Sequence, residues 1–172
     1  MFVKITNKHY FITIFIALIL MGCAAQPRYT SQPVEIKEYP PPKGTSETNI
    51  DQTKMSQIIE SFLGTPYKEG GSNKWGMDCS GFVMEVYRQY AGFKLPHSSA
   101  KLFKLVKKVD KEKLGYGDLV FFTEDRFSPS HVGIYIGVGK FVHSTKGYGV
   151  VVSSLDEEYY RKTYIGARRV IP

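Results

Sequence analysis

Cys79 stands in the run Asp78-Cys79-Ser80-Gly81, directly before the apolar repeat Phe82, Val83, Val86, Tyr87 and Tyr90, so the spacing puts it at the start of a helix. A helix start carries N–H groups without intrahelical partners and roughly half a positive charge, which favours thiolate over thiol. Thiolate is the attacking form in acyl transfer, and the same N–H groups can help hold the oxyanion that results. Such a nucleophile needs a base. Of the four histidines, His9 lies in the opening apolar segment and His97 between two predicted helices, whereas His131 heads the run HVGIYIG and His143 sits in the next run, FVHS. One imidazole taking the thiol proton while another polar group orients it is the arrangement that this order of residues suits. Each group also has an inert reading: Cys79 as a small buried residue, the histidines as satisfied or surface side chains.

From Ile50 onward the pattern is that of one compact domain. Met55, Ile58, Ile59 and Phe62 share a helical face, and Gly64-Thr65-Pro66 stops it. The helix of Cys79 should run to Ala91 and end at Gly92, and Ser98 or Ser99 can cap a third, shorter helix through about Lys107. The period then changes, and residues 118–123, 131–138, 141–144, 149–154 and 164–171 read as strands punctuated by Gly and Pro turns. Helices followed by strands predict an α+β domain, with the helices on one side of a largely antiparallel sheet.

The chain has 172 residues, 42% of them hydrophobic, enough for one core in the part that follows residue 49. Lys4 and Lys8 precede an uncharged run from Tyr10 to Met21, shorter than the roughly 20 apolar residues that span a bilayer, which reads as a signal peptide over residues 1–22. The run ends in Leu20-Met21-Gly22-Cys23, which resembles a lipobox, so Cys23 is the expected lipidated N-terminus of the mature chain. Cys79 is then the one thiol left, in an oxidising compartment where an unpaired cysteine is either buried or employed. Residues 24–49 are rich in Pro, Ser, Thr and charge and read as a tether, able to reach about 80 Å when extended at roughly 3.1 Å per residue. Losing residues 1–22 removes two lysines and no acid, lowering the net charge from +7 to +5, a balance suited to an acidic polymer or an anionic membrane surface. No basic stripe interleaved with aromatics points to nucleic acid.

DCSGFV at 78–83, GDLVFF at 117–122, HVGIYIG at 131–137, FVHS at 141–144 and GARRV at 166–170, with Gly64-Thr-Pro-Tyr67 and Gly70-Gly71 upstream, resemble the signature blocks of the NlpC family of cell-wall cysteine endopeptidases. The likeness covers about Asp51 to Ile171 with the blocks in the family's order. It implies a papain-like fold and a hydrolase that cuts peptidoglycan stem peptides, at the γ-D-glutamyl–diaminopimelate bond or the D-alanyl–diaminopimelate cross-link. It further implies Cys79 as nucleophile, His131 as base, His143 as orienting residue and Tyr67 near the thiol and oxyanion, with Asp78 and Ser80 at positions that some members use to bind a substrate amine. The last two also read as helix caps. Where related chains commonly carry Arg after Leu-Pro, this one has His97. Trp75 and the Tyr159-Tyr160 pair are candidates for the groove wall.

No cofactor is expected, and no metal, since the cysteines and histidines lack zinc-type spacing. The expected location is the cell envelope, with a monomer held by the Cys23 lipid. Ala24 after that cysteine favours the periplasmic face of the outer membrane. The rival reading is a catalytically silent lipoprotein of the same fold that binds the wall or a partner, although this chain keeps all three triad positions.

Overall fold

A computed structural model describes residues 50–125 and 128–171, so the expected signal peptide, Cys23 and the tether lie outside the described residues. Helix α1, Gln52–Glu60, begins where Asp51 accepts the Lys54 N–H and buries Met55 and Ile59. A short hairpin, β1 (Ser72–Asn73) and β2 (Gly76–Met77), leads into helix α2, Cys79–Ala91. Asp78 caps the start of α2, and Gly92, in the left-handed conformation at φ 72°, ends it. The face carrying Phe82, Val83, Val86, Tyr87 and Tyr90 is buried, as the spacing requires. Phe62 meets Phe82 edge-on with ring centroids 6.3 Å apart, fixing the segment after α1 against α2. Burying such a side chain contributes about 1.5–3 kcal/mol.

Helix α3 spans Ser99–Leu105 with Ser98 as its cap. The expected run to Lys107 is corrected, because Lys107–Val109 forms strand β3, captured by backbone pairing with the last strand. After a 3₁₀ turn at Lys111–Lys113 come β4 (Leu119–Phe122), β5 (His131–Gly137), β6 (Lys140–Thr145), β7 (Gly149–Ser154), helix α4 (Glu158–Thr163) and β8 (Tyr164–Arg169). The six strands β3 to β8 form one antiparallel sheet in the order β3-β8-β4-β5-β6-β7.

Alternation along β4 explains how the sheet is covered. Leu119 and Phe121 join the core made with α1, α2 and α3, while Val120 and Phe122 point to a second cluster with Phe141, Leu155 and Tyr160. The second face is therefore not open to water, and α4, which carries Tyr160, lies against it. Helices are thus not confined to one side of the sheet.

The blocks at 117–122 and 166–170 meet in a buried ion pair. Asp118, whose side chain is 1% exposed, accepts hydrogen bonds from Arg169 Nε at 2.8 Å, Arg169 Nη2 at 2.7 Å and the Gly115 N–H at 2.8 Å. Arg169 also donates to the Lys113 carbonyl, and the Tyr87 hydroxyl of α2 donates to the Gly117 carbonyl. One charged pair thereby ties β8, the entry to β4 and the 3₁₀ turn, and α2 is tied to the same entry. Removing one partner of such a pair strands a buried charge, so Asp118→Ala should cost about 3–5 kcal/mol of unfolding free energy in urea titration. Breaking the exposed Lys162–Glu158 pair by Lys162→Ala should change it by about 1 kcal/mol or less.

Candidate active site

Cys79 is the first residue of α2, and several contacts hold that start in place. Asp78 Oδ1 accepts the Gly81 N–H at 2.7 Å and the Ser80 hydroxyl at 2.9 Å, while Oδ2 accepts the Gly70 N–H at 2.9 Å. Burial works to raise the Asp78 carboxyl, but the Gly81 N–H, the Ser80 hydroxyl and His97 outweigh it and hold the group below its ordinary range. His97 Nε2 lies 2.9 and 3.0 Å from the two carboxylate oxygens. Asp78 N–H donates to the Gly71 carbonyl at 3.0 Å, and a Cβ on Gly81 would collide with that same carbonyl oxygen. The glycine of the DCSG run is thus required by the close approach of two backbones.

His131 opens β5, opposite Phe122 of β4, and its ring packs 6.0 Å from the Phe122 ring. His131 Nε2 lies 2.8 Å from His143 Nδ1 on β6, with the two rings nearly perpendicular. This pairing leaves Nδ1 of His131 as the nitrogen available to the pocket. His143 is fully buried, and its Nε2 lies 3.0 Å from Ser153 Oγ on β7 and 3.2 Å from the Tyr160 hydroxyl on α4. Gly133 makes room for this pair: a Cβ there would come within 2.6 Å of the Phe141 ring and 3.2 Å of His143 Cβ. The Ser144 hydroxyl, one residue beyond His143, donates to the Met77 carbonyl at 2.7 Å and so joins the histidine strand to the chain entering α2.

Cys79 and His131 line one cavity of about 260 Å³ together with Tyr67, Ser144, Tyr159 and Tyr160. The cavity wall also bears one cation, Lys146, and one carboxylate, Glu124, which accepts the Tyr159 hydroxyl at 2.9 Å. Lys146 Nζ sits 5.9 Å from the centre of the Tyr67 ring. Asp78 and Ser80 are not among the lining residues, and their polar atoms face the helix start. Trp75 is 90% exposed at the hairpin turn and also lies outside the cavity wall, whereas Tyr159 and Tyr160 belong to it. Ser153 and Lys146 carry no mark in the sequence beyond a position on or between strands, and only strand pairing brings them near the histidines.

Electrostatics at rest differ from what a helix start alone suggests. Burial pushes the Cys79 thiol up to about 11, and Asp78 adds to the rise, against hydrogen bonds from the Val132, Ser80 and Cys79 N–H groups that favour thiolate. Desolvation thus opposes the N–H groups that favour thiolate. Burial also pushes His131 down to about 4, and lowers His143 further below its ordinary value with His131 adding to the effect. Burial thus works against charge on all three groups. Burial likewise raises the Tyr67 phenol, followed by Cys79, Glu69 and Asp78, so it stays protonated. Among the described residues there is no group of three or more His, Cys, Asp or Glu side chains that could hold a metal ion.

The profile of the NlpC/P60 family matches residues 64–169. The probable endopeptidase NlpC homolog of Haemophilus influenzae is 40% identical over 117 residues, covering 68% of this chain and 62% of that protein. Murein DD-endopeptidase MepS/murein LD-carboxypeptidase of Escherichia coli is 40% identical over 124 residues, covering 72% of this chain and 65% of that protein. The chain thus spans a little under two thirds of the length of these curated relatives. The crystal structure of an NlpC/P60 family protein from Bacillus cereus superposes with a TM-score of 0.67 at 36% identity, covering 73% of this chain and 42% of that one. With its signature blocks folded into a papain-like α+β domain and the family profile matching more than half its length, this chain belongs to the NlpC/P60 family.

Proposed function

We propose that this domain is a thiol-dependent endopeptidase that cuts peptidoglycan stem peptides. The observation that carries the reading is the shared cavity of Cys79 and His131, in which His143 holds His131 Nε2 and leaves Nδ1 open to the thiol. Substrate binding excludes water, and the thiol proton passes to His131 Nδ1 as Sγ attacks the scissile carbonyl carbon. The oxyanion is stabilised by N–H groups at the start of α2 and by the Tyr67 hydroxyl, which the raised phenol keeps as a donor. Collapse returns the proton from His131 to the leaving amine and leaves a thioester. Water then adds with His131 as base, releasing the acid and restoring the thiol.

The name of the Escherichia coli relative, a murein DD-endopeptidase, supports the D-alanyl–diaminopimelate cross-link over the γ-D-glutamyl bond as the one cut. Asp78 and Ser80 serve, in this reading, to hold the helix start rather than to meet substrate. The full chain acts as a monomer anchored through a lipid on Cys23 at the periplasmic face of the outer membrane, the tether giving the domain reach into the wall. The run Leu20-Met21-Gly22-Cys23-Ala24 supports that anchor.

Purified sacculi incubated with the protein should release muropeptides whose masses report the bond cut. Cys79→Ser and His131→Ala should each lose about 10²–10⁴ in rate while folded by circular dichroism, and His143→Gln should keep measurable activity. Sacculus binding without release by the wild type would instead indicate a silent wall-binding protein.

The resting protonation of His131 sets a pH dependence of stability. Its folded pKa of about 4 lies below the ordinary 6.5, so between these values the unfolded chain takes up a proton that the folded domain refuses. The contribution is fully present above 6.5 and is lost as pH falls toward 4, by roughly 2–4 kcal/mol from this residue. Urea titrations at pH 7 and pH 4.5 should show a smaller loss in His131→Asn than in the wild type.

For the anchor, metabolic labelling with a fatty-acid analogue should mark the wild type and not Cys23→Ala. Label persisting in that variant would overturn lipidation at Cys23.

A further inference from the structure

Two neutral imidazoles hydrogen-bonded in series have two self-consistent hydrogen arrangements. In the first, His131 donates from Nε2 to His143 Nδ1, so His131 Nδ1 is bare and His143 must give its own Nε2–H onward. In the second, His143 donates from Nδ1 to His131 Nε2, and His131 carries its hydrogen on Nδ1. A ring with hydrogen on Nδ1 cannot accept a thiol proton there. Which arrangement holds is decided at His143 Nε2, because that atom is a donor in the first and an acceptor in the second.

Two hydroxyls meet His143 Nε2, and they differ chemically. Ser153 Oγ on β7, at 3.0 Å, belongs to an aliphatic alcohol, and the Tyr160 hydroxyl on α4, at 3.2 Å, to a phenol. A phenol, with a pKa near 10, is a better donor and a poorer acceptor than an alcohol. Ser153 therefore favours the first arrangement and Tyr160 the second. Both residues are buried, so bulk water does not substitute for either. An Nε2–H without an acceptor there would bear the cost of an unsatisfied buried donor.

We propose that Ser153 is a positioning residue that accepts the His143 Nε2–H and thereby keeps His131 Nδ1 bare, while the Tyr160 hydroxyl competes for the same nitrogen. Its catalytic consequence rests on the reading of Cys79 and His131 given above, but the tautomers themselves are observable without turnover. Ser153 touches neither thiol nor substrate and acts through two rings.

The test uses the full chain labelled with ¹⁵N-histidine at pH 7. Long-range ¹H–¹⁵N spectra of the wild type should show both His131 and His143 as Nε2–H tautomers. Ser153→Ala should move His143 toward the Nδ1–H form and lower kcat about 10- to 100-fold at nearly unchanged KM, as expected for a partly mis-set tautomer. Ser153→Thr keeps the hydroxyl and should keep both the tautomer and the rate, whereas adding Tyr160→Phe to Ser153→Ala should leave His143 in the Nδ1–H form, because its Nε2–H would still lack an acceptor. A loss of packing alone would not move the tautomer. An Nδ1–H tautomer at His143 in the wild type would overturn the proposal, as would unchanged tautomers in Ser153→Ala. Failure of the enzymatic reading is separate: it would appear as absent muropeptide release by the wild type, whatever the spectra show.

Discussion

A helix that begins beneath a sheet must satisfy its first N–H groups without help from bulk water, and this constraint organises the domain around Asp78. That carboxylate takes the Gly81 N–H, the Ser80 hydroxyl and the Gly70 N–H, and His97 closes over both of its oxygens. The Asp78 N–H donates in turn to Gly71, whose carbonyl approaches Gly81 so closely that no side chain fits between them. The cap, the two glycines and the loop before the helix are one unit, with Cys79 as its next residue. The cysteine is thereby held on a rigid element, with the first-turn amides around it.

The polar site is set into an otherwise apolar face. Phe122, Phe141 and Tyr160 pack around His131 and His143, with centroid distances of 4.8–6.0 Å between these rings and the imidazoles. Such surroundings make an unpaired polar atom costly and a charged one more so, which is why both imidazoles rest uncharged and linked through hydrogen bonds. The same burial raises the Cys79 thiol.

Support for this site comes from elements far from the chemistry. The Asp118–Arg169 pair fastens β8 to the entry of β4, and β4 in turn pairs with β5, the strand that His131 opens. Ser144 reaches across from β6 to the Met77 carbonyl, two residues before Cys79. Displacing either tie would shift β5 and β6 relative to α2, and with them His131 relative to Cys79.

Local spacing determined much by itself: α2 and its limits, from the Phe82 to Tyr90 repeat and Gly92; the Ser98 cap; and five of the strands, from apolar and β-branched runs. The candidate thiol and its two histidines were legible because a helix start and two strand positions are local properties, and because the blocks around them resemble a known family. Strand β3 was not, since Lys107–Val109 has no strand pattern of its own and is made by pairing with β8. Helix α4 was missed for a related reason: six residues with one buried side chain give no readable period. Only the tertiary structure decided that Asp78 is occupied by a helix start, that Ser153 and Tyr160 meet on one nitrogen of His143, and that burial opposes the helix end at the thiol. These are consequences of distance and desolvation between segments remote in the chain, and a linear sequence carries neither until the sheet has closed around its histidines.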